Sequence, residues 1–470
     1  MSNTSFSWNT LAISLLLGSQ LVGCAAVIKT PYQAPQIQTP QHFQYDRSAA
    51  RILSEVDADQ WWTLFNDQTL NALVQQVLAK NSDLAVAGLT LKQARLQAGL
   101  AADQQGLRTN SNLSTGHAFD LNAGNGSDKG LSASVGVSYT LDLFGKLARQ
   151  TEAAKWEALA SEQDLQATAQ TLIGTTAKLY WQLAYLHESL TTAQQGLATS
   201  EKLYTLVQSQ YRTGAVSGVE LTQAAQAVQS QKASLSQTQQ SLVETRSALA
   251  VLLHIPLQQL QLQEPQQFPN ATLPHIAAGL PANILSRRPD LQASELRLRK
   301  ALATQDATKA SYYPSISLTS SLGAASTSLT ELLQNPLLSL GANLSLPFLQ
   351  YNDMKKNVAI SHLDYEKAII EYRQSLYQAF SDVENALSAR TELDKQVTLQ
   401  QRNVELAQKA ENLVQVQYRY GAVPLKTLLD QQQTTRTARL SLVNTKQTQY
   451  NAYVTLMQAL GGSPIQHLPQ

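Results

Sequence analysis

The chain has 470 residues, room for two or three ordinary domains, and a formal net charge of +1 that makes no electrostatic case for nucleic acid or anionic lipid. Charged residues are 15% of the total, against roughly 25% in an ordinary soluble domain, and Gln, Ser, Thr and Asn fill the gap. A single cysteine excludes an intrachain disulfide and a cysteine-based zinc site. No proline occurs between Pro40 and Pro256, nor between Pro347 and Pro424. Such tracts permit long helices, since an interior proline removes a hydrogen bond and clashes with the preceding turn.

The N-terminus reads LAISLLLGSQLVGCAAV, an apolar run too short to span a bilayer comfortably and placed where a signal peptide sits. Leu21-Val22-Gly23-Cys24 resembles a bacterial lipobox, which makes residues 1–23 a lipoprotein signal peptide and Cys24 the lipidated mature N-terminus. Residues 24–60 are then a lipid-anchored linker. The plain alternative for Cys24 is a buried free thiol. No Lys or Arg precedes Lys29, so the usual basic start of a signal peptide is missing. Ala25 and Ala26 stand where inner-membrane lipoproteins carry a retaining Asp, which points to the outer membrane.

Residues 61–256 form a first structural unit. A helical stretch from Leu70 to Ala102 leads into two strands. The first strand, 107–119, alternates weakly. The second begins at Leu131, with Leu131, Ala133, Val135, Val137, Tyr139, Leu141 and Leu143 on one side and Ser132, Ser134, Gly136, Ser138 and Thr140 on the other. The Gly/Asn-rich LNAGNGSDKG (121–130) reads as the loop between them. On pattern alone, a membrane strand and the edge of a soluble sandwich are equally good readings. Leu165, Leu172, Leu179 and Leu186 then recur at a spacing of seven, as do Leu221, Val228, Leu235, Leu242 and Leu249 after a turn. The first helix, about 147–211, would be roughly 100 Å long at 1.5 Å per residue. The returning helix, about 219–253, is half that, so the stretch 70–102 supplies the remaining length.

Pro265, Pro269, Pro274 and Pro281 break up residues 257–281, which read as a linker to a second unit, 282–462, and a tail, 463–470. The second unit repeats the first at an offset of 207 positions. QYRTGAV at 210–216 returns as QYRYGAV at 417–423, Asp83-Leu84 falls on Asp290-Leu291, Leu221 on Leu428 and Leu249 on Leu456. Strands are expected at 313–322 and 338–348. The repeated heptapeptide marks the tip of a helical hairpin, where Gly214 and Gly421 supply a left-handed residue and Pro424 suits a first helical turn.

Four strands cannot seal a membrane barrel, whose smallest forms have about eight. Three pooled copies give twelve. Here the resemblance to a family is close: WWTLFNDQTLNALVQQVLAKNSDL, YTLDLFGK, LSRRPDLQASELRL and YRYGAVPLKTLLDQQ resemble the outer-membrane factors, TolC-like ducts, and within them the lipoprotein efflux branch of OprM/NodT type. The resemblance covers nearly everything from Trp61 onward. It implies a mostly α fold with a β-barrel part: a homotrimer whose twelve-stranded outer-membrane barrel continues as a helical periplasmic tunnel. The implied partners are a periplasmic adaptor, an inner-membrane pump of RND type and outer-membrane lipid; the implied cargo is drugs or other small solutes. No cofactor is implied beyond the lipid on Cys24. A type I protein-secretion duct is the alternative within the family, and a pore-less lipid-anchored coiled-coil scaffold the alternative outside it.

By the same resemblance, Glu220 and Asp430 are gate carboxylates facing a threefold axis, with Thr427 where some members carry a further Asp. Leu428 and Leu429 add an apolar constriction. Read without the family, Glu220 and Asp430 are solvated helix-surface charges. The family's basic residue after LLD is Gln433 here, which removes an Arg-linked lock. The tips Arg212, Thr213, Gly214, Ala215 and Val216, and Arg419, Tyr420, Gly421, Ala422 and Val423, resemble adaptor-docking turns; on their own they only end helices. Nothing points to an enzyme. The seven histidines show no HExxH spacing, no GxSxG occurs, and AGNGSDKG lacks the setting of a phosphate loop. Tyr180, Trp181 and Tyr185 read as packing residues, and Arg287-Arg288-Pro289-Asp290 as a turn and helix start.

Overall fold

A computed structural model describes residues 28–46, 51–52, 59–119, 126–269, 273, 276–277, 287–326, 336–462 and 464. Cys24, the signal peptide and all of the tail but Pro464 lie outside these. In chain order the elements are β1 (Arg51–Ile52), α1 (Gln68–Lys80), α2 (Ser82–Asp103), β2 (Arg108–Phe119), β3 (Gly126–Leu141), α3 (Lys146–Arg212), α4 (Gly218–Leu252), β4 (Ile276–Ala277), α5 (Pro289–Ala310), β5 (Ser315–Ser326), β6 (Pro336–Ser345), α6 (Tyr351–Arg419) and α7 (Leu425–Leu460). The offset of 207 carries α2 onto α5 and β2 onto β5 without slippage, and α3 and α6 end at matching arginines.

Four expectations need correction or addition. The stretch 70–102 is two helices, because Asn81 is extended (φ −68°, ψ 131°) and ends α1. Its Oδ1 accepts from the amides of Asp83 (2.9 Å) and Leu84 (3.2 Å) to open α2, while its Nδ2 donates to the Leu252 carbonyl at 2.9 Å. Strand β3 starts at Gly126, inside the stretch read as loop, and β6 stops at Ser345 because Pro347 lacks an amide for the ladder. The two segments read as linkers also meet: Arg51–Ile52 pairs in parallel with Ile276–Ala277.

The chain divides into two compact units that cut across the repeats. The first draws on Leu89–Gln163, Ala293–Ser375 and the described part of Met1–Ile37. It holds an antiparallel four-stranded sheet in the order β2-β3-β5-β6. The register puts Val135 beside Leu322, Leu322 beside Leu338, and Ala133 beside Leu113, so one face is largely apolar on β3, β5 and β6, while β2 adds Leu113 between Ser111 and Thr115. Leu113, Val135, Leu322, Leu338, Leu340 and Leu344 on that face are 56–78% exposed. The other face carries Asn110, Asn112, Ser114, Ser132, Ser134, Ser138, Ser317, Thr319, Ser321, Ser339 and Asn343. Ser114 and Ser132 hydroxyls bond across it at 2.7 Å, and Asn110 lies so close over Gly136 that a Cβ there would sit 2.6 Å from its Oδ1. Asp142 follows β3 and starts α3 by accepting from the amides of Leu147 (3.1 Å) and Ala148 (2.7 Å). Ala94, Ala98, Ala154 and Ala158 let α2 and α3 approach closely. On α5, Lys300 bonds Glu157 of α3 at 3.0 Å, and the Arg299 guanidinium lies 4.6 Å over the Tyr32 ring and 5.3 Å over Trp156.

The second unit, Gln38–Gly88, Asp164–Gln292 and Leu376–Gln470, is built around aromatic rings. Phe65 lies 5.2 Å from both Trp181 and Tyr453, and Trp181 lies 4.5 Å from Tyr450. Tyr180 and Trp181 are buried, as expected of packing residues; Tyr185 is half-buried. The Tyr180 hydroxyl donates to Asp67 Oδ2 at 2.8 Å while Asp67 Oδ1 accepts from the Leu70 amide at 2.9 Å, so one carboxylate caps α1 and fixes it to α3. Arg288 bridges Asp290 (2.7 Å) and Asp382 (3.2 Å), the structural role expected of its motif. The chain after α4 is clamped by Glu264, which accepts two bonds from Arg246 (2.6 and 2.8 Å) and one contact from His187 (2.7 Å).

Candidate functional site

The two spellings of QYR-x-GAV adopt one geometry. At the end of α3 the Ala215 amide donates to the Gln210 carbonyl (2.8 Å) and the Gly214 amide to that of Tyr211 (3.0 Å), with Gly214 at φ +75°. At the end of α6 the Ala422 amide donates to Gln417 (2.9 Å) and Gly421 to Tyr418 (3.0 Å), with Gly421 at φ +72°. These paired bonds satisfy carbonyls that a helix end otherwise leaves open, and they require a residue that tolerates positive φ. Glycine at these two places is therefore a backbone requirement.

The tips meet within the second unit. Leu203 and Val207 of α3, Ala224 of α4 and Leu425 and Leu428 of α7 form one buried cluster, with Val216, Leu221, Tyr418 and Leu429 packed on it. The Tyr418 hydroxyl donates to Gln210 Oε1 at 3.3 Å, tying one repeated heptapeptide to the other. Above this cluster the turn residues Arg212, Thr213, Gly214, Ala215, Arg419, Tyr420, Gly421 and Ala422 are exposed; Val216 and Val423 are half-buried. Tyr420 is 85% exposed.

The residues singled out for a gate have different surroundings. Leu428 is 2% exposed and belongs to the hairpin core, so it cannot line a constriction; burial between α3, α4 and α7 corrects that expectation. Leu429 is half-buried against the same cluster. Glu220 turns back on its own helix: Oε2 accepts from the Ser217 amide (2.8 Å) and hydroxyl (3.2 Å) in a capping box. Its carboxylate adds to the burial that pushes the Tyr418 phenol up. Asp430 is solvent-facing and pairs with Lys426 one turn earlier at 2.7 Å. The basic partner of Asp430 is thus Lys426, one turn before it, and not a residue at position 433. Thr427 is exposed, its amide bonded to the Pro424 carbonyl at 3.1 Å. Pro424 itself is the cap residue (φ −73°, ψ 159°), one position before the first helical turn. Ser217, Lys426 and Tyr418 escaped the sequence reading. The S-x-x-E spelling of 217–220 and the i,i+4 spacing of 426 and 430 could have found the first two.

No group of His, Cys, Asp and Glu among the described residues is arranged to hold a metal ion, and no described helix is long and apolar enough to cross a membrane. The features that remain are the pair of tips and a sheet with one apolar and one hydroxyl-rich face. Compared with protein families, the chain matches the model of the outer membrane efflux proteins twice, at residues 73–253 and 280–462. The chain belongs to the outer membrane efflux protein family. The two matches fall on the two repeats.

Among relatives of this efflux protein, the pyoverdine export outer membrane protein OpmQ of Pseudomonas aeruginosa is 30% identical over 463 residues, 96% of each chain. The cation efflux system protein CusC of Escherichia coli K12 is 27% identical over 449 residues, 94% of this chain and 97% of that one. Among solved structures, the open-state MtrE outer membrane channel of Neisseria gonorrhoeae superimposes with a TM-score of 0.78 at 28% identity, covering 93% of this chain and 98% of that one. The fold is that of the TolC-like channels, with four barrel-type strands per chain. The protein is an outer-membrane efflux channel of a family that works with pumps and adaptors, and it is not an enzyme. A pore-less scaffold is thereby set aside.

Proposed function

We propose that three copies of this chain close a twelve-stranded barrel and form the exit duct for drugs or other small solutes. The carrying observation is the open sheet: among the described residues β2 and β6 are its outer strands, they run in opposite directions, and one face is apolar. Antiparallel outer strands let β6 of one copy pair with β2 of the next in the same ladder pattern, and an unpaired amide in hydrocarbon costs several kcal/mol. The hydroxyl-rich face then lines the water-filled side. Hairpin turns 212–216 and 419–423 dock the periplasmic adaptor of an inner-membrane pump of RND type; their exposure and the uncovered Tyr420 ring support this. Asp430 forms the acidic ring at the closed end, with Glu220 held back by its capping box. Cys24 carries the lipid that anchors the chain. Cargo is set by the pump, a view supported by relatives named for goods as different as pyoverdine and cations.

The test is the mass and conductance of the purified protein. In mild detergent it should run as a trimer and should open ion-conducting pores in planar bilayers. A monomer with a fully ordered sheet, or a trimer that does not conduct, overturns the proposal. Drug hypersensitivity of a deletion strain with normal protein export would support efflux over type I secretion.

A further inference from the structure

The first unit contains a cavity of ≈ 940 Å³ that neither the sheet faces nor the hairpin tips account for. Ligand pockets commonly measure about 300–1,000 Å³. Its walls include Tyr312 before β5, Phe348 after β6, Met354 and Val358 on α6, and Ile28. Phe348 and Tyr351 remain 42% and 62% exposed, so apolar surface faces empty space where the strands begin and end. Lys309 and Lys355 also line it, and Thr30, Gln305 and His362 add polar side chains to a wall that is otherwise aromatic and aliphatic.

One segment of the wall is placed with unusual care. Thr30, also part of the lining, donates its amide to Asp306 Oδ2 and its hydroxyl to Asp306 Oδ1, both at 2.7 Å. Asp306 is 1% exposed, with Lys309 Nζ 3.8 Å away. A buried carboxylate is costly unless fully engaged, and here its engagement fixes where the chain passes two residues after Ile28. Cys24 precedes Ile28 by four residues, a span of at most about 14 Å.

We propose that this cavity receives an acyl chain of the lipid carried by Cys24, with the ester oxygens meeting Lys309 or Lys355. The inference rests on the lipidation of Cys24 proposed above. The cavity walls offer rings and methylenes to the hydrocarbon, and the Thr30–Asp306 bonds hold the N-terminal segment at the mouth. The lipid then fixes the chain to its own protein as well as to the bilayer.

The experiment feeds a Gram-negative host expressing the full chain with a palmitate analogue bearing a photoactivatable diazirine and an alkyne. After irradiation, cross-linked peptides are mapped by mass spectrometry. The expected result is attachment within the peptide spanning Met354 and Val358. Ala359→Trp, which fills the cavity from an exposed helix position, should cut that product at least tenfold while the yield of folded protein is unchanged. Label on Cys24 with cross-links only to phospholipid, to the apolar strand face at Leu338 and Leu340, or to nothing in the cavity overturns the inference and leaves lipidation standing. Cavity residues cross-linked instead to a second copy would show that a neighbour fills the space, and would equally overturn it. An N-terminal peptide without label or lipid mass overturns both readings together.

Discussion

At residue level, the repeat offers a controlled comparison. His254 closes α4 at φ +56°, and the matching residue 207 positions on, Gly461, closes α7 at φ +81°. A side chain at the left-handed φ of His254 costs roughly 1–2 kcal/mol, which that residue tolerates, whereas Gly461, with ψ −176°, sits in a region essentially only glycine occupies. Gly461 has a second constraint: a Cβ there would lie 2.4 Å from the Arg287 carbonyl oxygen, which also accepts from the Gly462 amide at 2.9 Å. Gly461→Ala should therefore lower stability by about 2 kcal/mol or more, while His254→Gly should be neutral or slightly stabilising; calorimetric melting of the two purified variants checks the contrast. Asp430 and Lys426 form an exposed i,i+4 pair worth about 0.3–0.5 kcal/mol. Asp430→Ala should leave the melting temperature almost unchanged yet raise single-channel conductance, if its ring restricts the closed end. Unchanged conductance would remove Asp430 from the gate. Glu220→Ala, by contrast, should cost about 0.5–1.5 kcal/mol, because it removes the acceptor of the Ser217 amide that a Gln would keep.

At the scale of elements, the clamp after α4 makes a pH prediction. Burial pushes the Glu264 carboxyl up, but the bonds from Arg246 and His187 and their charges outweigh it and leave it below its ordinary 4.5. A carboxyl lowered on folding contributes stability that is present above its unfolded value and is lost as pH falls through the folded one. Melting temperature should thus decline below about pH 4.5, and Glu264→Gln should flatten that decline while lowering the plateau at neutral pH; a melting series across pH 3–7 reads both. The sheet makes a different prediction at neighbouring residues. Leu340 lies on the apolar face and Ser339 on the hydroxyl face. Arginine at a lipid-facing midplane position costs about 2–4 kcal/mol, so Leu340→Arg should deplete outer-membrane protein on fractionation and Ser339→Arg should not. Much of this was legible in the residues. Period-two alternation located β3, β5 and β6, and the seven-residue spacing located α3 and α4, because each pattern reports which side is dry. What was hidden depended on contacts distant in sequence: the break at Asn81 answers to Leu252, and the pairing of 51–52 with 276–277 leaves no periodic trace. Leu428 was misplaced for a related reason. A leucine looks the same in sequence whether it faces an axis or its own hairpin.

For the whole molecule, the division of labour follows the chemistry of the two compact units. One carries the sheet whose apolar face needs lipid; the other carries the aromatic core and the paired tips. Doubling of the sequence has a further consequence. An ancestor of half this length, with two strands and one hairpin, would need six subunits to complete the same twelve-stranded ring. With two non-identical halves joined at a fixed 207-residue stride, the six stations need not be alike. One turn has Ser217 with Glu220, while its sister has Pro424 with Thr427 in the matching places. A docking partner approaching such a ring would meet two kinds of station in alternation, one braced by its own carboxylate and one braced by a rigid imino acid.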